Sequence, residues 1–177
     1  GHVQKGHGIA FGDVDGAGDQ DIYAVFGGAY EGDTFRRALF ENPGHGNHWI
    51  TLRLEGVRSN RSAIGARIEV RVPHGKGVRS IHATVSTGGS FGSASLQQEI
   101  GLGAATSILS IKVRWPAPGG TQTFENVPVD RVVHLREGDP GPRILEARRV
   151  PLDPVSPLER DEAAQVRLPS DGQRQQR

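Results

Sequence analysis

Arg67-Ile68-Glu69-Val70-Arg71-Val72 alternates charged and branched apolar side chains without a break. In an extended chain successive side chains point to opposite faces, so Ile68, Val70 and Val72 line one face and Arg67, Glu69 and Arg71 the other. Ser110-Ile111-Lys112-Val113-Arg114-Trp115 repeats the design. Working outward from these two, further strand-like runs lie at Asp21–Phe26, His48–Leu54, Ser80–Val85, Gln97–Leu102, Thr121–Glu125 and Arg131–Leu135. Glycine, 25 of the 177 residues, and proline punctuate the gaps between them. No window up to residue 138 carries a 3.6-residue repeat, so an all-β body is expected, with strands spaced as in a sandwich or barrel.

Composition narrows the partners. Lys and Arg number 21 against 20 Asp and Glu, so no global field draws nucleic acid or an anionic membrane, and neither is expected as a partner. No apolar run approaches the roughly 20 residues that cross a bilayer, so no membrane insertion is expected. The absence of cysteine excludes a disulfide scaffold, Cys-ligated zinc and a thiol nucleophile. Gly1-His2-Val3-Gln4 is not an initiating sequence and there is no methionine, so the chain reads as a piece of a longer one, with any signal peptide upstream.

An apolar content of 35% is low for a single compact globule. The deficit is greatest from Asp139 onward, where six prolines sit among Arg, Asp and Glu without one aromatic residue. Residues 139–177 are expected to be a disordered Pro/Arg-rich tail, because they bury too little to offset their ordering entropy. Ser156-Pro157-Leu158-Glu159 has the form of a helix start, with Ser as N-cap, Pro in the first turn and Glu closing a capping box. It marks a short frayed helix to about Leu168 or only a transient turn.

The densest chemistry lies in Phe11-Gly12-Asp13-Val14-Asp15-Gly16-Ala17-Gly18-Asp19-Gln20-Asp21-Ile22-Tyr23. Four carboxylates within nine residues repel one another in a folded turn unless a hard cation sits at their focus. Counting Asp13 as position one puts Asp15 at three, Gly18 at six, Asp19 at seven and Asp21 at nine, the early part of an EF-hand-type spacing. The flanks Ile9-Ala10-Phe11 and Ile22–Phe26 are strand-like rather than helical, and the closing glutamate of an EF-hand is missing. Oxygen donors in this pattern suit Ca2+, with Asp13, Asp15, Asp19 and Asp21 as the metal site. The competing reading is a metal-free turn in which the Asp side chains cap backbone amides.

The stretch from Gly8 through Gly16 to Asp21-Ile22-Tyr23 resembles the FG-GAP/VCBS repeat of integrin-like β-propellers. That resemblance implies a calcium loop between two strands of one blade. Asp13, Asp15 and Asp21 would give side-chain oxygens, and Asp19 a backbone carbonyl with its carboxylate nearby. Ala17 departs from the repeat, which usually carries Asp or Asn there, so a water would fill that place and affinity would drop toward about 0.1–1 mM.

Leu39-Phe40-Glu41-Asn42-Pro43-Gly44, Asn47–Leu52 and Asn60-Arg61-Ser62-Ala63-Ile64-Gly65-Ala66-Arg67-Ile68 are similar to the ASPIC/UnbV family of cartilage acidic protein-like chains. The likeness continues through Gly88–Ser93, Ile100-Gly101-Leu102-Gly103, Val113-Arg114-Trp115-Pro116 and Phe124-Glu125-Asn126-Val127. It implies a secreted or periplasmic module of adhesion or interaction, joined to upstream propeller blades, with an extracellular protein or glycan ligand left undefined.

Several other residues invite sharper readings. Trp49 and Trp115 read as core anchors, the alternative being sugar-stacking platforms of a carbohydrate-binding module, which exposed indoles would favour. Arg53, Arg58, Arg61 and Arg67 read as a solvated strand face rather than a glycan or phosphate patch. Gly88-Gly89-Ser90-Phe91-Gly92 fits G-x-S-x-G but lacks the strand–turn–helix setting of a nucleophile elbow. An esterase would need Ser90 within reach of His82 or His134. His45 and His48 lack a visible third ligand for zinc, and Asn60-Arg61-Ser62 is formally a glycosylation sequon.

The expected architecture is an all-β protein with a partial propeller blade at 1–40 bearing the calcium loop, a β-sandwich-like domain at 44–138, and the tail. The expected function is non-enzymatic, with a structural ion.

Overall fold

A computed structural model describes residues 6–27, 37–88, 95–150 and 152. The protein is all-β, with eleven strands in three sheets and no helix among the described residues. The expected helix after Ser156 and the Ser90 turn lie outside them.

The first sheet is small. β1 (Gly6–Gly12) and β2 (Asp21–Phe26) form an antiparallel hairpin whose connection is the acidic loop. The sequence pattern suggests two strands here, but β3 (Ala38–Phe40) adds a third, pairing with β2 from Ile22↔Phe40 to Ala24↔Ala38. Three residues are too few for an alternation to stand out.

The other two sheets make the sandwich. β4 (His48–Glu55), β7 (Gln98–Gly103), β10 (Val132–Arg136) and β11 (Arg143–Leu145) form one sheet, ordered β11-β10-β4-β7. β5 (Arg67–His74), β6 (Gly77–Thr84), β8 (Ser110–Arg114) and β9 (Thr121–Phe124) form the other, ordered β6-β5-β8-β9. All pairings are antiparallel except β10 with β4. β5 and β6 are joined by a two-residue turn in which Gly75 takes φ +57°, a conformation that favours glycine.

The alternation in β5 and β8 does what their sequence requires. Ile68, Val70, Val72, Ile111 and Val113 are sealed between the sheets, while Arg67, Arg71, Lys112 and Arg114 face water. Ile50 and Leu52 of β4, Leu102 of β7, and Val133 and Leu135 of β10 meet them from the opposite sheet in one continuous core. Phe124, Trp115 and Val127 close one part of it, and Val85, Ala63 and Ala66 are buried in the same cluster.

The expectation of a disordered tail from Asp139 is corrected for its first part. Arg143–Leu145 is strand β11, paired with β10 from Val132↔Leu145 to His134↔Arg143. Backbone pairing along an existing edge orders a segment that has little apolar surface of its own, and composition does not register that contribution. Residues 146–150 then run back across the acidic loop, where the Val150 N–H donates to the Asp15 carbonyl at 2.7 Å.

Candidate metal centre

The acidic loop is shaped by its own carboxylates. Asp21 Oδ2 accepts the Val14 N–H at 2.9 Å and Asp21 Oδ1 accepts the Asn42 N–H at 2.9 Å, which ties the loop to the chain beyond β3. Asp15 Oδ1 accepts the Ala17 N–H at 2.8 Å, and Asp13 Oδ2 accepts the Gly18 N–H at 3.0 Å. Gly16 and Gly18 make the required bends at φ +74° and +95°, where a side chain is strained.

These bonds leave a focus of charge. Asp13, Asp15 and Asp21 each offer an oxygen within 4.8 Å of the others, the only such convergence of three His, Asp or Glu side chains among the described residues. Asp15 and Asp21 are almost wholly buried, at 4% and 1% exposure. The Asp19 carboxylate, expected only near the ion with the Asp19 backbone carbonyl as the ligand, is not one of the three, and its Oδ2 lies against Gly44. Two oxygens, Asp13 Oδ1 and Asp19 Oδ1, are buried without any hydrogen-bond partner. Such orphaned acceptors are costly unless something positive satisfies them.

The electrostatics agree. Burial pushes the Asp13 carboxyl above its ordinary range against the opposing Gly18 N–H, with Glu99 and Asp15 adding repulsion. Burial also raises Asp19, reinforced by the charges of Asp21 and Asp15. The donor set fits a hard cation with oxygen ligands: Asp13, Asp15 and Asp21 would hold it, with Asp19 close enough to share its charge. Ala17 supplies only its main chain.

The loop is docked on the outer face of the sandwich. A Cβ on Gly18 would lie 1.9 Å from Cε2 of Trp49, so the bare glycine rests directly on the indole. Gln20 Nε2 donates to Glu99 Oε2 at 3.0 Å, which ties the loop to β7 as well as to β4. Trp49 is in turn positioned by Asp130, whose Oδ1 accepts the Trp49 N–H at 3.1 Å and whose own N–H donates to the Trp49 carbonyl at 2.8 Å. Asp130 Oδ2 also meets His48 Nδ1 at 2.7 Å. A cleft of about 500 Å³ runs beside this contact, lined by Asp19, His45, His48, Trp49, Glu99 and Arg149 among others. His45 and His48 do not converge with a third ligand among the described residues.

The two indoles therefore differ. Trp115 is a buried core anchor whose Nε1–H donates to Gln122 at 3.3 Å. Trp49 is half-buried, a pad for the loop rather than a member of the core. Of the four arginines, all are exposed; Arg53 donates to Gln97 and Arg61 pairs with Glu55, which also meets His134 at 3.2 Å. His82 is exposed on β6, in the other sheet from His134.

A second carboxylate, unremarkable in the sequence, turns out to be structural. Glu137 Oε2 accepts three consecutive backbone N–H groups, from Val57, Arg58 and Ser59, at 2.8, 2.9 and 2.8 Å. Burial opposes its charge, but these bonds together with the Ser59 hydroxyl overcome that and hold its carboxyl below the ordinary range.

Residues 56–142 match the family model ASPIC and UnbV. The ASPIC/UnbV stretch covers β5 to β10 and contains Glu137 with its three donors; the acidic loop, sheet β1–β3 and Trp49 lie before it. No curated protein matches the chain.

Proposed function

We propose that the acidic loop is a calcium loop of FG-GAP/VCBS type and that the protein is a non-enzymatic, extracellular interaction module in which the ion is structural. The observation that carries this reading is the pair of orphaned buried oxygens, Asp13 Oδ1 and Asp19 Oδ1, beside three converging carboxylates. A metal-free turn with the Asp side chains capping amides accounts for the hydrogen bonds of the loop but leaves those two oxygens unexplained. A calcium ion at the three-Asp focus gives Asp13 Oδ1 a partner, brings positive charge close to Asp19, and favours the ionised carboxylates against the burial, and secondarily the repulsion, that raises Asp13 and Asp19.

The proposed role is orientation. With the ion bound, the loop is rigid against Trp49, and sheet β1–β3 holds a fixed attitude on the sandwich. Cross-strand pairing puts Ile9, Phe11, Ile22 and Phe40 on one face of that sheet, and Tyr23 and Leu39 on the other, all substantially exposed. A small sheet apolar on both faces suits a propeller blade flanked by others, so upstream blades of a parent chain are the proposed neighbours, with a protein or glycan as the outward ligand. A carbohydrate-binding module is disfavoured because Trp115 is buried and Gly18 covers Trp49.

The test is calorimetric titration of calcium into the protein beside an Asp13→Ala, Asp15→Ala double variant, with thermal unfolding in parallel. Stoichiometric binding at about 0.1–1 mM, lost in the variant, is expected. No heat and no stabilisation at millimolar calcium would leave a metal-free turn.

A further inference from the structure

The chain after β11 is clamped to the loop by its backbone at two residues, Arg148 and Val150. The Arg148 carbonyl oxygen lies 2.7 Å from where a Cβ on Gly16 would sit, and the Val150 N–H donates to the Asp15 carbonyl at 2.7 Å. Arg149 stands between these contacts, so its position over the loop is set by main chain anchored in β11. Its Nε lies 3.9 Å from Asp15 Oδ2, the oxygen not bound by the Ala17 N–H. The side chains differ sharply in exposure, 75% for Arg149 against 6% for Asp15. A solvated guanidinium thus sits at the mouth of a buried carboxylate that belongs to the three-Asp focus.

We propose that Arg149 is a built-in counter-cation of the loop, neutralising Asp15 when no ion is bound and opposing the ion when one arrives, so that it sets the calcium affinity. The proposal rests on the calcium reading of the loop. The guanidinium is permanently charged, so it offers Asp15 a partner at any physiological pH. A divalent ion at Asp13, Asp15 and Asp21 meets that charge as a like charge across a short, partly desolvated distance. The opposition is moderated by water around the exposed arginine and is screened by salt. The arrangement favours a loop that fills at the calcium levels of extracellular fluids rather than one saturated at trace concentrations.

Charge variants of the full chain separate this role from a packing role. Calcium titrations of the wild type, Arg149→Lys, Arg149→Gln and Arg149→Glu at low ionic strength are expected to give unchanged affinity for the lysine variant. Binding should be about 3-fold tighter for Arg149→Gln and about 10-fold tighter for Arg149→Glu, the range of an exposed ion pair removed and then reversed. The differences should shrink at about 1 M salt. In chelator, Arg149→Gln should unfold sheet β1–β3 at a lower temperature than the wild type. Equal or weaker binding in the Gln and Glu variants, with the wild type still binding, overturns the counter-cation role and leaves the calcium site standing. No binding by any of the four up to about 10 mM calcium overturns the calcium reading and this inference with it.

Discussion

In β5 every second side chain, Ile68, Val70 and Val72, is sealed into the core, whereas in β1 the same alternation leaves Ile9 and Phe11 at 63% and 59% exposure. The sandwich is held by apolar area closed between two four-stranded sheets. Sheet β1–β3 buries one apolar side chain, Ala24, among its described residues, and otherwise depends on carboxylates that gather backbone amides and on Gly18 against Trp49. A three-stranded sheet with so little core is marginal by itself. The two regions teach that one strand pattern can be stabilised by area in one place and by carboxylates that gather amides in another, and that the proposed ion would act only on the second.

The largest effect should come from the core. Ile111→Ala opens a fully enclosed site between the sheets and should cost about 3 kcal/mol in denaturant unfolding, whereas Ile9→Ala should stay within about 0.5 kcal/mol. A comparable loss at Ile9 would show that its face is covered in solution and would break the contrast.

Glu137→Gln should come next, at about 2 kcal/mol, because a neutral amide oxygen is a weaker acceptor for three N–H groups than a carboxylate. The lowered folded pKa fixes the sign with pH. Its contribution is fully present above the unfolded carboxylate value and is lost as pH falls from there through the lowered folded value. Acid unfolding of wild type and variant should converge in that window; a constant difference between them would count against a charged Glu137.

Gly18→Ala sharpens the contrast from the other side. Its methyl would collide with the indole at a φ of +95°, and about 1–2 kcal/mol should be lost from docking of the loop. Trp49 fluorescence should shift while the main unfolding transition of the sandwich stays in place. An unshifted emission would mean that the loop does not rest on Trp49.

The smallest effect is also the most diagnostic in sign. Asp13 and Asp19 have raised values, so without metal the folded loop takes up protons more readily than the unfolded chain. Metal-free sheet β1–β3 should therefore gain stability as pH falls from above through those raised values, opposite to the Glu137 effect, while calcium affinity declines over the same range. Amide exchange across a pH series in chelator reads this, and a loss of protection on acidification would contradict it.

Much of this was legible in the residues. Strands β4, β5, β7, β8, β9 and β10 stood out because a half-buried strand repeats every two residues, and the metal candidates stood out because Asp13, Asp15 and Asp21 alternate through a glycine-rich turn. β3 and β11 did not, since three-residue strands at a sheet edge are specified by the neighbour they pair with. The closeness of Gly44, beyond β3, to the Asp19 carboxylate is a contact between segments that no local pattern records. Glu137 was invisible because its three donors lie 78 to 80 residues earlier, and no local pattern records a partner at that distance. Trp49 looked like core because its apolar neighbours are core; its own face became a landing pad only when the loop folded onto it.

The most direct test of an ion-controlled region on a self-sufficient sandwich is amide hydrogen exchange with calcium and with chelator. Calcium should raise protection at Ala17, Gly18 and along β1–β3, by about 10-fold or more, while Ile68–Val72 and Ile111–Val113 exchange as before. Protection that is unchanged everywhere, or raised equally in both regions, would contradict the account.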